Sequence, residues 1–308
     1  MKKWILGIIL ILSSHIVFGM EKKIVKEAKT VFEREIHHPM LQADIEEGIK
    51  SELRNGFDSA EGVINAFRYI DDLTSTDEDG YLNKKELINK VKDLAKTELA
   101  PEYADLTKEE LNNKFYNRLI PILKNAKKCN LFESIRQKMT ADEGRFRDYF
   151  VKLIIAGANP NLEIMEAIDA IPANESLLQL MIDLEDINFV LLLILYGADV
   201  NHKNSLGDRP LNLAVHGYCY HPKIQKKQVV KLLIKHGADV NARDGNRRNT
   251  AVILAFRTQQ EILLKLLLKN GAKFNEGELN AIKEAKPQYH PEIYEKFVEI
   301  LKKYNYEI

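Results

Sequence analysis

The chain has 308 residues, 45% of them hydrophobic and 29% charged, and its 45 Lys and Arg balance 45 Asp and Glu. That length and apolar fraction exclude a wholly disordered polypeptide and suffice for one or two domains with buried cores. Zero formal net charge removes bulk attraction to nucleic acid or an anionic membrane, and two cysteines, Cys129 and Cys219, exclude a disulfide-dense scaffold or a four-cysteine zinc site.

In chain order, the first predicted element is an address. Lys2 and Lys3 precede an apolar run over residues 4–12, and Val17 and Gly19 are small enough for the −3 and −1 positions of a signal-peptidase site. Residues 1–19 therefore read as a signal peptide cleaved after Gly19. The rival is an uncleaved anchor, but the run is shorter than the roughly 20 residues needed to span a bilayer. The mature chain is expected to be exported, periplasmic or secreted, with no membrane insertion after cleavage. Cys129 and Cys219 lie 90 residues apart and read as two separate thiols.

Residues 20–128 read as a small helical domain. Leu41, Ile45, Ile49 and Leu53 recur every fourth residue; Val63, Phe67 and Ile70 follow, then Leu87, Val91 and Leu94. Helices are expected over 60–73, 84–99 and 111–119. Thr107 and Glu110 have capping-box spacing before the last of these, and Pro121 is expected to bend or end it. Between the first two helices, residues 75–86 resemble an EF-hand loop. The resemblance puts Ser75 first, then Asp77, Asp79, the carbonyl of Tyr81 and a closing bidentate Glu86 around a calcium ion, with Gly80 at the sharp turn. Ser75 supplies a neutral oxygen where Asp is usual, and no second acidic loop pairs with this one. Two readings stand: a weak calcium site of ~10⁻⁴–10⁻³ M, or a solvated acidic turn whose Asn83 caps the next helix.

The second half repeats a phrase. Residues 149–161 (YFVKLIIAGANPN), 189–201 (FVLLLILYGADVN), 229–241 (VVKLLIKHGADVN) and 262–275 (ILLKLLLKNGAKFN) align, with Gly157, Gly197, Gly237 and Gly271 spaced 40, 40 and 34 apart. Each is an apolar helix stopped by a glycine able to take positive φ, then a turn. After Gly197, Pro210 sits at the first turn of a further helix, where its missing N–H costs nothing. These strings resemble the ankyrin repeat, whose hallmarks are G-A-D-V-N and T-P-L-H-x-A on a period of about 33 residues.

The resemblance covers about 130–308 and implies an all-α helical solenoid over 129–308, with about four repeats and a C-terminal capping helix beginning at Pro291. Arg209 and Asn212 stand where the family has Thr and His, which predicts the loss of two hydrogen bonds there. Extra residues around 162–173 and 216–226 account for the long spacings and are expected as surface loops and helix extensions. His216, Cys219 and His221 lie in the second insert, which reads as a loop and not a metal site.

The resemblance also implies a protein-binding module that recognises another protein, identity open, through its fingers and concave face. The candidate contacts are His202, Asp208 and Arg209 in one finger and Arg243, Arg247 and Arg248 in the next. Arginine is favoured because its planar fork anchors interfaces. The alternative is a calcium-binding EF-hand-type protein docked by its repeats. No phosphate-binding loop, dinucleotide fingerprint, zinc-protease or nucleophile-elbow motif is present, so a monomeric binder and not an enzyme is expected.

Overall fold

A computed structural model of the chain describes residues 39–56, 59–75, 82–126, 131–140, 145–220, 224–245, 249–284 and 290–307. The signal peptide expected over 1–19 lies outside them, as do Cys129, His221, Arg247 and Arg248. Among the described residues there are fourteen α-helices and one two-stranded antiparallel sheet.

The first four helices are α1 (Pro39–Asn55), α2 (Ser59–Ser75), α3 (Lys84–Leu99) and α4 (Lys108–Lys124). Their starts are written in polar side chains. Asn83 accepts from the Glu86 N–H to cap α3, and Thr107 and Glu110 form the predicted capping box of α4. Gly62 lets α2 cross α1 closely, since a Cβ there would lie 2.4 Å from the Leu53 carbonyl oxygen. Of the two outcomes expected at Pro121, a bend or an end, the end does not occur. The helix runs on to Lys124, with Ile122 and Leu123 buried behind the proline. The lost N–H falls in the last turn, where burial of those two side chains outweighs one missing bond.

Five helix pairs follow: α5 (Leu131–Thr140) with α6 (Arg145–Ala156), α7 (Leu177–Asp183) with α8 (Ile187–Leu195), α9 (Pro210–Tyr220) with α10 (Ile224–Lys235), α11 (Ala251–Arg257) with α12 (Glu261–Lys269), and α13 (Glu276–Glu284) with α14 (Pro291–Lys303). First helices pack on first helices, α7 on α9 on α11, and second on second, α6 on α8 on α10. A helix packed on both sides must be apolar nearly all round, and α8 is: Phe189, Val190, Leu192, Leu193 and Ile194 are all buried. Gly157, Gly197, Gly237 and Gly271 all have positive φ, 118°, 95°, 89° and 85°. No atom crowds the missing Cβ at any of the four, so conformation alone explains the glycine.

The two inserts become structure. The first forms a hairpin of β1 (Glu163–Ile164) paired with β2 (Glu175–Ser176). The second lengthens α9, so His216 and Cys219 lie on a helix and not in the loop the sequence suggests; Tyr218 and Cys219 are buried there. Burial pushes the Cys219 thiol up to about 11, which leaves it unreactive at neutral pH.

The helices of the first half do not stand apart from the stack. α2 packs on both α6 and α8, while α3 and α4 pack on α6, and the apolar core runs unbroken from Ile45 to Leu301. Phe115 of α4 meets Phe150 of α6 with ring centroids 4.6 Å apart. Polar ties surround this contact: the Ser59 hydroxyl donates to Asp148 at 2.7 Å, Tyr116 to the Glu163 carbonyl at 2.8 Å, and Lys152 to Glu102 at 3.2 Å.

Candidate partner-binding face

An asparagine ladder joins one repeat to the next. Asn161 donates its amide to the Gly197 carbonyl and accepts the Asp199 N–H at 2.7 Å. Asn201 does the same with Gly237 and Asp239, and Asn241 with Gly271 and Lys273. The first rung comes from outside the repeats, because Asn112 of α4 accepts the Asn159 N–H at 2.8 Å. Asn159 holds the place in its turn that Asp199 and Asp239 hold in theirs, so α4 supplies the acceptor that a preceding repeat would supply.

The ladder holds three fingers side by side: the hairpin of residues 157–176, then 197–209, then the described parts of the third, 237–245 and 249. Ser205 N–H donates to the Ala173 carbonyl at 3.0 Å, tying the second finger to the first. The third approaches the second closely. A Cβ on Gly245 would lie 1.5 Å from the Leu206 carbonyl oxygen, and one on Gly207 would lie 2.7 Å from the Gly245 Cα.

Three of the sequence-predicted contact residues are struts within this array. His202 Nε2 lies 2.8 Å from the Asn174 carbonyl oxygen, and its Nδ1 3.8 Å from Glu163. Asp208 Oδ1 accepts the Gly245 N–H at 3.2 Å, and Arg209 donates to the Asn201 carbonyl at 3.1 Å. Arg243 is exposed and pairs through its backbone with Thr250. Leu206 is exposed on the second finger, its carbonyl against Gly245 of the third, an apolar contact that sequence reading passed over.

The residues at the fourth place of the first two T-P-L-H-like strings still reach the next repeat. Gln179 donates to the Asp208 carbonyl at 2.9 Å, and Asn212 to the Ala242 carbonyl at 3.3 Å. The bond expected to be lost at Asn212 is thus replaced by one of different partner. Thr250, with Ile253 in the fourth place, turns instead to Glu278, donating its hydroxyl at 2.8 Å.

Between the second and third fingers lies a cavity of about 200 Å³, lined by Asp208, Asn212, Leu213, Val215, His216, Asp244, Asn249, Thr250, Ala251 and Leu254. Glu175 is 1% exposed and accepts from Asn204 of the second finger at 2.8 Å. Burial, then the nearby carboxylates of Asp183 and Asp208, push its carboxyl up to about 8 against the opposing Asn204 bond. Asp183, half-buried, is pushed up to about 7 by desolvation despite Lys226. Sequence reading missed Glu175, Asn204 and the cavity; the one available signal was Asn212, a departure from the family's histidine.

At the acidic loop, Ser75 donates its hydroxyl to the Asp72 carbonyl at 2.8 Å in the last turn of α2, and Glu86 is exposed in the first turn of α3. Asp77, Asp79 and Tyr81, the remaining predicted ligands, lie outside the described residues.

Residues 178–278 match the family model of ankyrin repeats in three copies. This stretch is built of ankyrin repeats. The ladder and the capping glycines carry the same geometry upstream, to Asn161 and Gly157. Over 133 residues the chain is 32% identical to the human transient receptor potential cation channel subfamily A member 1, covering 38% of this chain and 11% of that protein. Over 115 residues it is 35% identical to ankyrin repeat protein FPV219 of Fowlpox virus (strain NVSL), covering 30% of this chain and 26% of that protein. The chain therefore spans about a quarter or less of the length of these curated relatives.

Proposed function

We propose that the chain is a protein-binding module that takes its partner on the fingers and the row of first helices. The observation that carries this reading is the uneven cover of the stack. On the second-helix row, α6 and α8 are packed under α2, α3 and α4. The fingers and the α9–α11 surface carry the open cavity, exposed Leu206 and exposed Arg243. Apolar and arginine side chains at a rigid, pre-formed surface suit protein recognition, because little ordering entropy remains to be lost on binding. No helix among the described residues is long and apolar enough to cross a membrane.

The test is capture of a partner by the full chain and by two variants. Leu206→Glu with Arg243→Glu should reduce retention of the same partner at least tenfold. Ile262→Glu on α12, where Ile262 is 55% exposed, should leave it unchanged. The opposite pattern would place the interface on the second-helix row and refute the reading.

We further propose that residues 1–19 direct export to a periplasm or beyond, on the strength of the basic start, apolar run and small residues before Met20. N-terminal sequencing of the exported protein should begin at or near Met20. An intact Met1 in the membrane fraction would contradict this.

A further inference from the structure

We propose that the cavity between the second and third fingers is an anchor site for one cationic side chain, lysine or arginine, of the bound partner. The inference rests on the partner-binding reading above and names the chemistry that reading leaves open.

Three groups lining the cavity are acceptors with capacity to spare. Asp208 commits Oδ1 to the Gly245 N–H at 3.2 Å, and Asp244 commits Oδ1 to the Asn249 N–H at 2.8 Å. Neither second carboxylate oxygen has a partner among the described residues. Asn212, only 8% exposed, uses its amide N–H on the Ala242 carbonyl, and its Oδ1 has no hydrogen-bond partner among the described residues. A buried acceptor left without a donor is rare and costly. Two carboxylates beside it make the missing donor a cation. Arg257 donates to Asn249 Oδ1 at 2.8 Å.

The size and the walls narrow the occupant further. About 200 Å³ exceeds what one or two waters of about 30 Å³ need and falls short of a drug-sized pocket of roughly 300–1,000 Å³. A single long side chain fits that interval. Leu213, Val215, Ala251 and Leu254 offer an apolar wall to its methylene stem, while the acceptors take its charged head.

The test titrates the ¹⁵N-labelled full chain with N-acetyl-lysine methylamide, N-acetyl-arginine methylamide and, as the uncharged control, N-acetyl-norleucine methylamide. The cationic probes should saturably shift the Gly245 and Asn249 amides, and the stronger of the two identifies the head group; norleucine should not. Asp208→Asn and Asp244→Asn keep an Oδ1 for Gly245 and Asn249, so melting should hold while cation affinity falls about threefold to fivefold for each. Norleucine binding as well as lysine, or variants that bind the cations undiminished, would overturn the anchor. Cation binding that arises only after Arg247→Ala with Arg248→Ala would also overturn it, giving the cavity to the chain's own arginines. A partner still captured through Leu206 and Arg243 but indifferent to both Asp→Asn changes would overturn the anchor and leave the binding face standing. Shifts confined to α10 and α12 would overturn both.

Discussion

Glu175 lies under the second finger with Asn204 as its hydrogen-bond donor, and its carboxyl is pushed up to about 8 by burial from an ordinary value of 4.5. The folded chain therefore holds a proton there that the unfolded chain releases at neutral pH. Stability from this group is fully present below pH 4.5 and is lost as pH rises toward 8. Glu175→Gln keeps an acceptor for Asn204 without a charge, so it should flatten the decline in stability between pH 5 and 8.5, as read by urea unfolding. A decline of equal steepness in the variant would mean that the buried carboxyl is not the cause. At the finger tips, Gly245→Ala must push the third finger off the Leu206 carbonyl. It should broaden or shift the Leu206 and Gly207 amide signals and lower the melting temperature, whereas Gly217→Ala, with only the Lys226 side chain at 3.7 Å, should be tolerated. These contacts were illegible in the sequence. Close approach of two chains is a property of the stack and not of either string.

The helices themselves were largely legible, because each carries its own stop and start. Glycine with positive φ closes α6, α8, α10 and α12, and Asn83 and Thr107 cap α3 and α4 as the sequence suggests. Tertiary burial decided what local preference left open: Pro121 sits inside α4 without ending it, and of the loop or helix extension expected for the second insert, the part up to Tyr220 is helix, the C-terminal half of α9. Apolar runs packed on both sides should be the most costly to truncate. Leu192 in α8 and Leu233 in α10 are both 0% exposed, so replacing either with Ala should cost about 2–5 kcal/mol in equilibrium unfolding. A cost below ~0.5 kcal/mol would be that of a surface position. Asn201→Ala, which removes both bonds of one ladder rung, should cost about 1–2 kcal/mol and loosen the third finger relative to the second.

At the scale of the whole molecule, the first four helices act as the opening layer of the stack. Asn112 supplies the first ladder acceptor, and α2, α3 and α4 cover α6 and α8. Periodicity in residues 41–94 announced helices but not where they would lie, since an amphipathic face does not name what it packs against. A fragment of residues 129–308 would expose Phe150, Val151 and Ile154, which are all 0% exposed in the full chain. It should melt at lower temperature than the full chain and self-associate, as unprotected terminal repeats do. The same layering decides where a partner can sit, because part of the second-helix row is already taken. The most direct test is hydrogen–deuterium exchange of the full chain with and without its captured partner. Exchange should slow in residues 202–209, 242–245, α9 and α11, and stay unchanged in α10, α12 and α14. Slowing in those three helices, with the fingers unaffected, would contradict a binding face built from fingers and first helices.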